Sequence, residues 1–189
     1  MATTGPGFAA TWAVSMAAMM LPSELPLLRL EHATTRSALR TASVVLGYLS
    51  VWTAVALPVW AADRASDGRV LGMHGSSVTA LVLGLAAAYQ LTPLKSRCLA
   101  VCRAPLARIL HGWREGLAGA FRMGVVNGIS CVGCCLGLTT ALLAVGLMNV
   151  AWMLVIGVAI VLEKTTRIGV AASRATAGLL ALGAITCAA

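Results

Sequence analysis

The chain has 189 residues, 59% of them hydrophobic and only 11% charged, with a mean hydropathy of +0.90 and a formal net charge of +8. A soluble domain carries about 25% charged residues, so this chain has too little polar side chain to cover a water-facing surface. An ordinary soluble domain is thereby excluded, and a single polytopic membrane domain over 1–189 is expected.

A helical crossing needs about 20 mostly apolar residues. Such stretches fall at 6–22, 42–62, 75–93, 123–146, 148–163 and 167–187. In the first, Met16, Met19 and Met20 recur at i, i+3 and i+4 just before Pro22. It is not expected to be a cleaved signal peptide, because no basic region precedes it and Pro22, Ser23, Glu24 and Pro26 follow it. Tyr89 and Gln90 stand near the end of the third stretch. Between the third and fourth, Pro105 can open a helix at its first turn. Leu106, Ile109, Leu110, Trp113 and Leu117 then form an apolar stripe, with Arg108, His111, Arg114 and Glu115 largely away from it. This reads as an amphipathic helix lying in the cytoplasmic interface. Met123 opens the fourth stretch, and Gly146 through Asn149 can make a tight turn that renders the fourth and fifth helices antiparallel neighbours. Glu163 is an interfacial carboxylate whose expected partners are Lys164 or Arg167. The expected architecture is an all-α bundle of about six transmembrane helices with one interfacial helix.

The basic residues give this bundle a direction. Arg29, Arg36 and Arg40 lie in the first connection, Lys95, Arg97, Arg103, Arg108, Arg114 and Arg122 in the third, and Lys164 and Arg167 in the fifth. Arg64 and Arg69 in the second are offset by Asp63 and Asp67. Basic connections stay in the cytoplasm, so loops one, three and five are expected inside and both termini outside. Anionic membrane lipid is a sufficient partner for the positive charge, and no nucleic acid is needed.

Five of the six cysteines fall into two groups, Cys98 with Cys102, and Cys131, Cys134 and Cys135, while Cys187 stands alone as a small hydrophobe. Residues three and four apart share one helix face, so each group can converge. Cys131 lies nine residues beyond Arg122, about 13 Å along a helix at about 1.5 Å per residue. An unpaired thiolate at that depth is costly, and a soft ion such as Cu(I), Zn(II) or an iron–sulfur cluster would compensate it. Methionines at helical spacing are more often packing residues than ligands. Three cysteines within five residues, flanked by Gly128, Gly133 and Gly137, favour a metal or redox role. His32, His74 and His111 fall in connections, which argues against a histidine-rich centre. No haem-attachment, Walker or dinucleotide motif is present.

Met16-Ala17-Ala18-Met19-Met20-Leu21-Pro22, Tyr89-Gln90 with Pro93, Lys95, Cys98, Cys102 and Pro105, then Gly124 to Cys135, Met148-Asn149 and Glu163-Lys164 resemble a bacterial family. It is the DUF2182 family of predicted metal-binding integral membrane proteins, and the resemblance runs from about Trp12 to Lys164. Leu136 stands where the family pattern leads one to expect an aromatic residue. The resemblance implies metal binding through the cysteines and a bacterial plasma (inner) membrane location, and supplies no established reaction. Cys131, Cys134 and Cys135 are the expected core ligands, with Cys98 and Cys102 completing or loading the site. Met16, Met19, Met20, Met123, Tyr89 and Glu163 are expected around it, and Arg97, Arg103 and Arg122 as balancing charge. Copper as Cu(I) is the expected ion, with zinc as the alternative. The expected role is non-enzymatic copper binding, buffering or delivery. The alternative is a membrane subunit of a metal-dependent oxidoreductase or oxygenase whose site a partner chain completes. A homo-oligomer or a small partner protein sharing the site is the expected assembly.

Overall fold

The computed structural model describes residues 5–65, 76–145, 149–166 and 168–188. Among these residues all regular structure is helical: α1 Gly5–Thr35, α2 Ala38–Ala65, α3 Ser76–Gln90, α4 Pro93–Cys102, α5 Pro105–Gly112, α6 Gly116–Val145, α7 Val150–Thr165 and α8 Gly169–Ala188. The expected all-α architecture is present. The expected six spans are not: α2, α6 and α8 are the three helices long and apolar enough to cross a membrane, and α3 with α4 makes a fourth if that pair counts as one span. The physical reasons differ by helix. The 16 residues of α7 reach about 24 Å at about 1.5 Å each, short of a hydrocarbon core of about 30 Å. The 31-residue α1 runs well past Pro22, through Pro26, and carries Glu24, Arg29 and Glu31 in its second half.

The break between α3 and α4 has a local cause. A residue before proline is pushed out of the helical region, and Thr92, preceding Pro93, is extended at φ −71° and ψ 149°. Its side chain then caps the new helix by accepting a hydrogen bond from the Lys95 backbone N–H at 3.3 Å. The chain bends by 64°, and α4 packs against α6. The cysteines at 98 and 102 therefore sit on a helix packed against α6 rather than in a loop.

Helix α6 is the centre of the bundle and packs against α2, α3, α4 and α7. Its crossing with α2 is backbone to backbone. A Cβ on Gly124 would overlap the Val44 carbonyl oxygen, and one on Gly47 would overlap that of Phe121. Glycine at these two positions lets the helices close to within reach of each other's short side chains.

Helix α5 begins at Pro105 as expected but has only eight residues. Ile109 is buried, Leu106 and Leu110 remain exposed, and Leu117 already belongs to α6. The expected stripe is thus split by the turn after Gly112. Trp113 lies in that turn, with the Arg40 guanidinium 4.1 Å from its ring centre. Arg40 also pairs with the buried Glu31 at 3.0 Å. The turn expected at Gly146 through Asn149 falls largely outside the described residues; Asn149 itself caps α7, accepting from the Ala151 N–H at 3.0 Å.

Candidate metal centre

Cys131, Cys134 and Cys135 are buried on the inward face of α6, and their sulfurs all lie within 4.8 Å of one another. The Sγ separations are 3.9 Å for Cys131 to Cys135 and 3.5 Å for Cys134 to Cys135. Two sulfurs on one ion, each bonded at about 2.3 Å with a tetrahedral angle, sit about 3.8 Å apart. Both separations are of the size that two sulfurs sharing one soft ion require, and the trio is compatible with metal binding. All six cysteines are free thiols.

The second pair divides. Cys102, partly exposed on α4, places its Sγ 3.7 Å from that of Cys134. The sulfurs of Cys102, Cys134, Cys135 and Cys131 thus form a file running from a partly exposed position to a fully buried one. Cys98 instead packs on the bare Cα of Gly133, where an added Cβ would come 2.6 Å from its Sγ. Cys187 packs elsewhere, beside Leu83, Ala86 and Ala141.

The methionines also divide. Met16, Met19 and Met20 are buried in the same apolar cluster as the three core cysteines, together with Trp12, Tyr48 and Ile160. Met123 lies in a separate cluster with Leu27, Val44 and Ile109, and so is not gathered at the thiols. Tyr89 donates its hydroxyl to the Gly133 carbonyl at 2.6 Å, gripping α6 at the level of the thiols.

The charge at the centre is not the one expected. Arg97 and Arg122 are exposed, and Arg103 donates to the Thr166 carbonyl at 2.6 Å. It is Lys164 that reaches the thiols. Its Nζ lies 2.9 Å from Cys131 Sγ, 2.7 Å from Glu24 Oε1 and 3.1 Å from Ser23 Oγ. An ammonium has three donors, and here each has an acceptor. The other oxygen of Glu24 accepts from Asn127 Nδ2 at 2.6 Å. The Tyr48 hydroxyl sits 2.9 Å from Cys131 Sγ on the opposite helix. Cys131 is thus held by groups from α2, α6 and α7, and through Glu24 by α1.

Glu163 pairs not with its neighbour Lys164 but with a residue from α4. It pairs with Lys95 at 2.5 Å, both side chains almost fully buried. Thr176 donates to Glu163 at 2.8 Å, and Gln90 bonds both Lys95 and Thr176. Arg167 lies outside the described residues. His32 and His111 are on helices, exposed, and bonded to Thr41 and to the Ala107 carbonyl.

Sequence reasoning missed Lys164, Glu24, Asn127 and Tyr48 as neighbours of the thiols. One signal was available: a carboxylate between two prolines and a lysine at the end of an apolar helix are both expensive to bury unless paired. A family model described as PpoB2, copper chaperone, matches residues 9–187. The chain belongs to this copper chaperone family. No curated protein and no solved structure matches it. For a copper chaperone the donor set is apt, since thiols and thioethers select soft ions, and the trio is the group of potential ligands that the described residues bring together.

Proposed function

We propose that the chain is an integral membrane copper chaperone that holds Cu(I) on Cys131, Cys134 and Cys135 and exchanges it through Cys102. The observation that carries this reading is the file of four sulfurs, each 3.5 to 3.9 Å from the next. An ion can pass along such a file by gaining one sulfur before it loses another, so no step leaves it bare. Cys102, partly exposed, is the exchange end, and Cys131, ringed by Lys164 and Tyr48, is the closed end. Cys98, one turn before Cys102 on α4, is packed on Gly133 and stands outside this file. The buried Met16, Met19 and Met20 supply polarizable walls for the ion.

Membrane integration is supported by α2, α6 and α8, and by the many large apolar side chains left exposed on them, among them Leu39, Leu46, Leu57, Ile129 and Leu182. Lipid covers such faces where water would not. The basic connections favour a plasma membrane orientation with Cys98 and Cys102 toward the cytoplasm, where thiols stay reduced. The DUF2182 resemblance agrees with this reading at the level of metal binding in a membrane.

The test is metal content of the detergent-purified chain by mass spectrometry after anaerobic loading with Cu(I). Wild type is expected to retain copper, and the chain with Cys131, Cys134 and Cys135 all changed to Ser is expected to lose it. Equal copper in both would overturn the assignment.

A further inference from the structure

We propose that Lys164 makes the thiol centre selective for a monovalent over a divalent soft ion. The inference rests on the metal-holding reading above and names a feature of its cargo, the ionic charge.

Cys131 Sγ lies 2.9 Å from the Lys164 ammonium, and a metal–sulfur bond adds about 2.3 Å. Any ion on Cys131 is therefore within about 5 Å of a fixed positive charge. Beyond Ser23, Glu24, Asn127 and the Tyr48 hydroxyl, Cys131 lies in a buried apolar cluster with Trp12, Met16, Leu142 and Ile160, which screens weakly. Repulsion between ammonium and ion scales with the charge of the ion, so a divalent ion meets it twice over. The attraction between the ammonium and the sulfurs is shared by both ions and drops out of their ratio.

Glu24 does not cancel this. Its oxygens bond Lys164 at 2.7 Å and Asn127 at 2.6 Å, whereas the ammonium itself contacts Cys131 at 2.9 Å, so the ammonium is the nearer charge. One extra unit of charge at this range is worth about tenfold or more in relative affinity, even at an effective dielectric near 20 and with partial cancellation by Glu24. A lysine that served only to tie α7 to α1 would leave that ratio alone.

The experiment uses the full chain in detergent under reducing, anaerobic conditions, with Cu(I) and Zn(II) affinities measured by competition against chromophoric chelators. Lys164→Met, which removes the ammonium and keeps the Glu24 carboxylate, is expected to lower the ratio of Cu(I) to Zn(II) affinity by on the order of a hundredfold. Lys164→Arg, which keeps the charge, should preserve the ratio, and Glu24→Gln, which removes the opposing charge, should raise it. Because Lys164→Met strands a buried carboxylate, the double variant Lys164→Met with Glu24→Gln removes both charges and keeps the measurement available if the single variant does not fold. It too should show the lowered ratio. An unchanged ratio in the foldable neutral variants overturns the Lys164 assignment while leaving copper holding intact. Wild type that binds neither ion overturns the metal reading itself, and this inference with it.

Discussion

Replacing Lys95 by Met tests whether α4 is held in place by its buried ion pair. Lys95 lies 2.5 Å from Glu163, with side-chain exposures of 1% and 3%. Removing one member of such a pair costs about 3–5 kcal/mol, because the remaining charge is left buried. Here Thr176 and Gln90 still donate to the carboxylate, so the lower end, about 3 kcal/mol, is expected. For a chain of this size that is a fall in Tm of about 6–12 °C, at about 2–4 °C per kcal/mol, read by circular dichroism in detergent. Lys95→Met together with Glu163→Leu should recover most of the loss, since an apolar replacement of both partners is often close to neutral. The single variant should also release α4 from α7 and speed alkylation of Cys102. A Lys95→Met chain that melts within 2 °C of wild type (a loss under about 1 kcal/mol), or a double variant as unstable as the single, would refute the reasoning.

Gly124→Leu should prevent the α2–α6 crossing, because its Cβ would overlap the Val44 carbonyl oxygen; loss of the monodisperse peak in size-exclusion chromatography would report it. Tyr48→Phe removes the hydroxyl 2.9 Å from Cys131 and should weaken Cu(I) holding by about fivefold, the worth of about 1 kcal/mol for one hydrogen bond, with a fall in Tm of no more than about 2–4 °C. Cys102→Ser should keep copper stoichiometry on the three core thiols and slow copper release to an added thiol chelator, seen by stopped flow.

Local features of the centre were legible and long-range ones were not. The trio at 131, 134 and 135 could be grouped from spacing alone, because one helix supplies all three and helical period is a local property. Pro105 marked the start of α5 for the same reason. The bend before α4 was half-visible: Thr92-Pro93 is a stop and a cap, yet nothing local says that the next helix bends by 64° and packs on α6. The partners of Lys164 were invisible in the sequence, since Glu24 and Cys131 lie 140 and 33 positions away. Glu163 was paired with its neighbours in sequence, whereas the fold brings Lys95 from 68 positions away. The span count erred because apolar runs were read as whole helices. The helix of the first run continues past Pro22 into polar residues, and that of the fifth is too short to cross.

Adjacent residues of opposite charge at the end of α7 explain how an apolar bundle can keep thiols inside it. Successive helix positions point about 100° apart, so Glu163 and Lys164 face different neighbours. Glu163 meets Lys95 on α4, the helix of Cys102, and Lys164 meets Glu24 on α1, the helix of the buried methionines. Each buried charge thereby finds an opposite one, and the two pairs together add no net charge to the core. What distinguishes them is the third contact. Lys95 and Glu163 close on Gln90 and Thr176, a set of neutral groups that holds α4 and does nothing to the sulfurs. Lys164 spends its third donor on Cys131. The first pair is completed by an amide and a hydroxyl, which are poor ligands for a soft ion. Completion by a cysteine places a positive charge where metal-binding chemistry would feel it, which is why one pair reads as scaffold and the other as part of the metal centre.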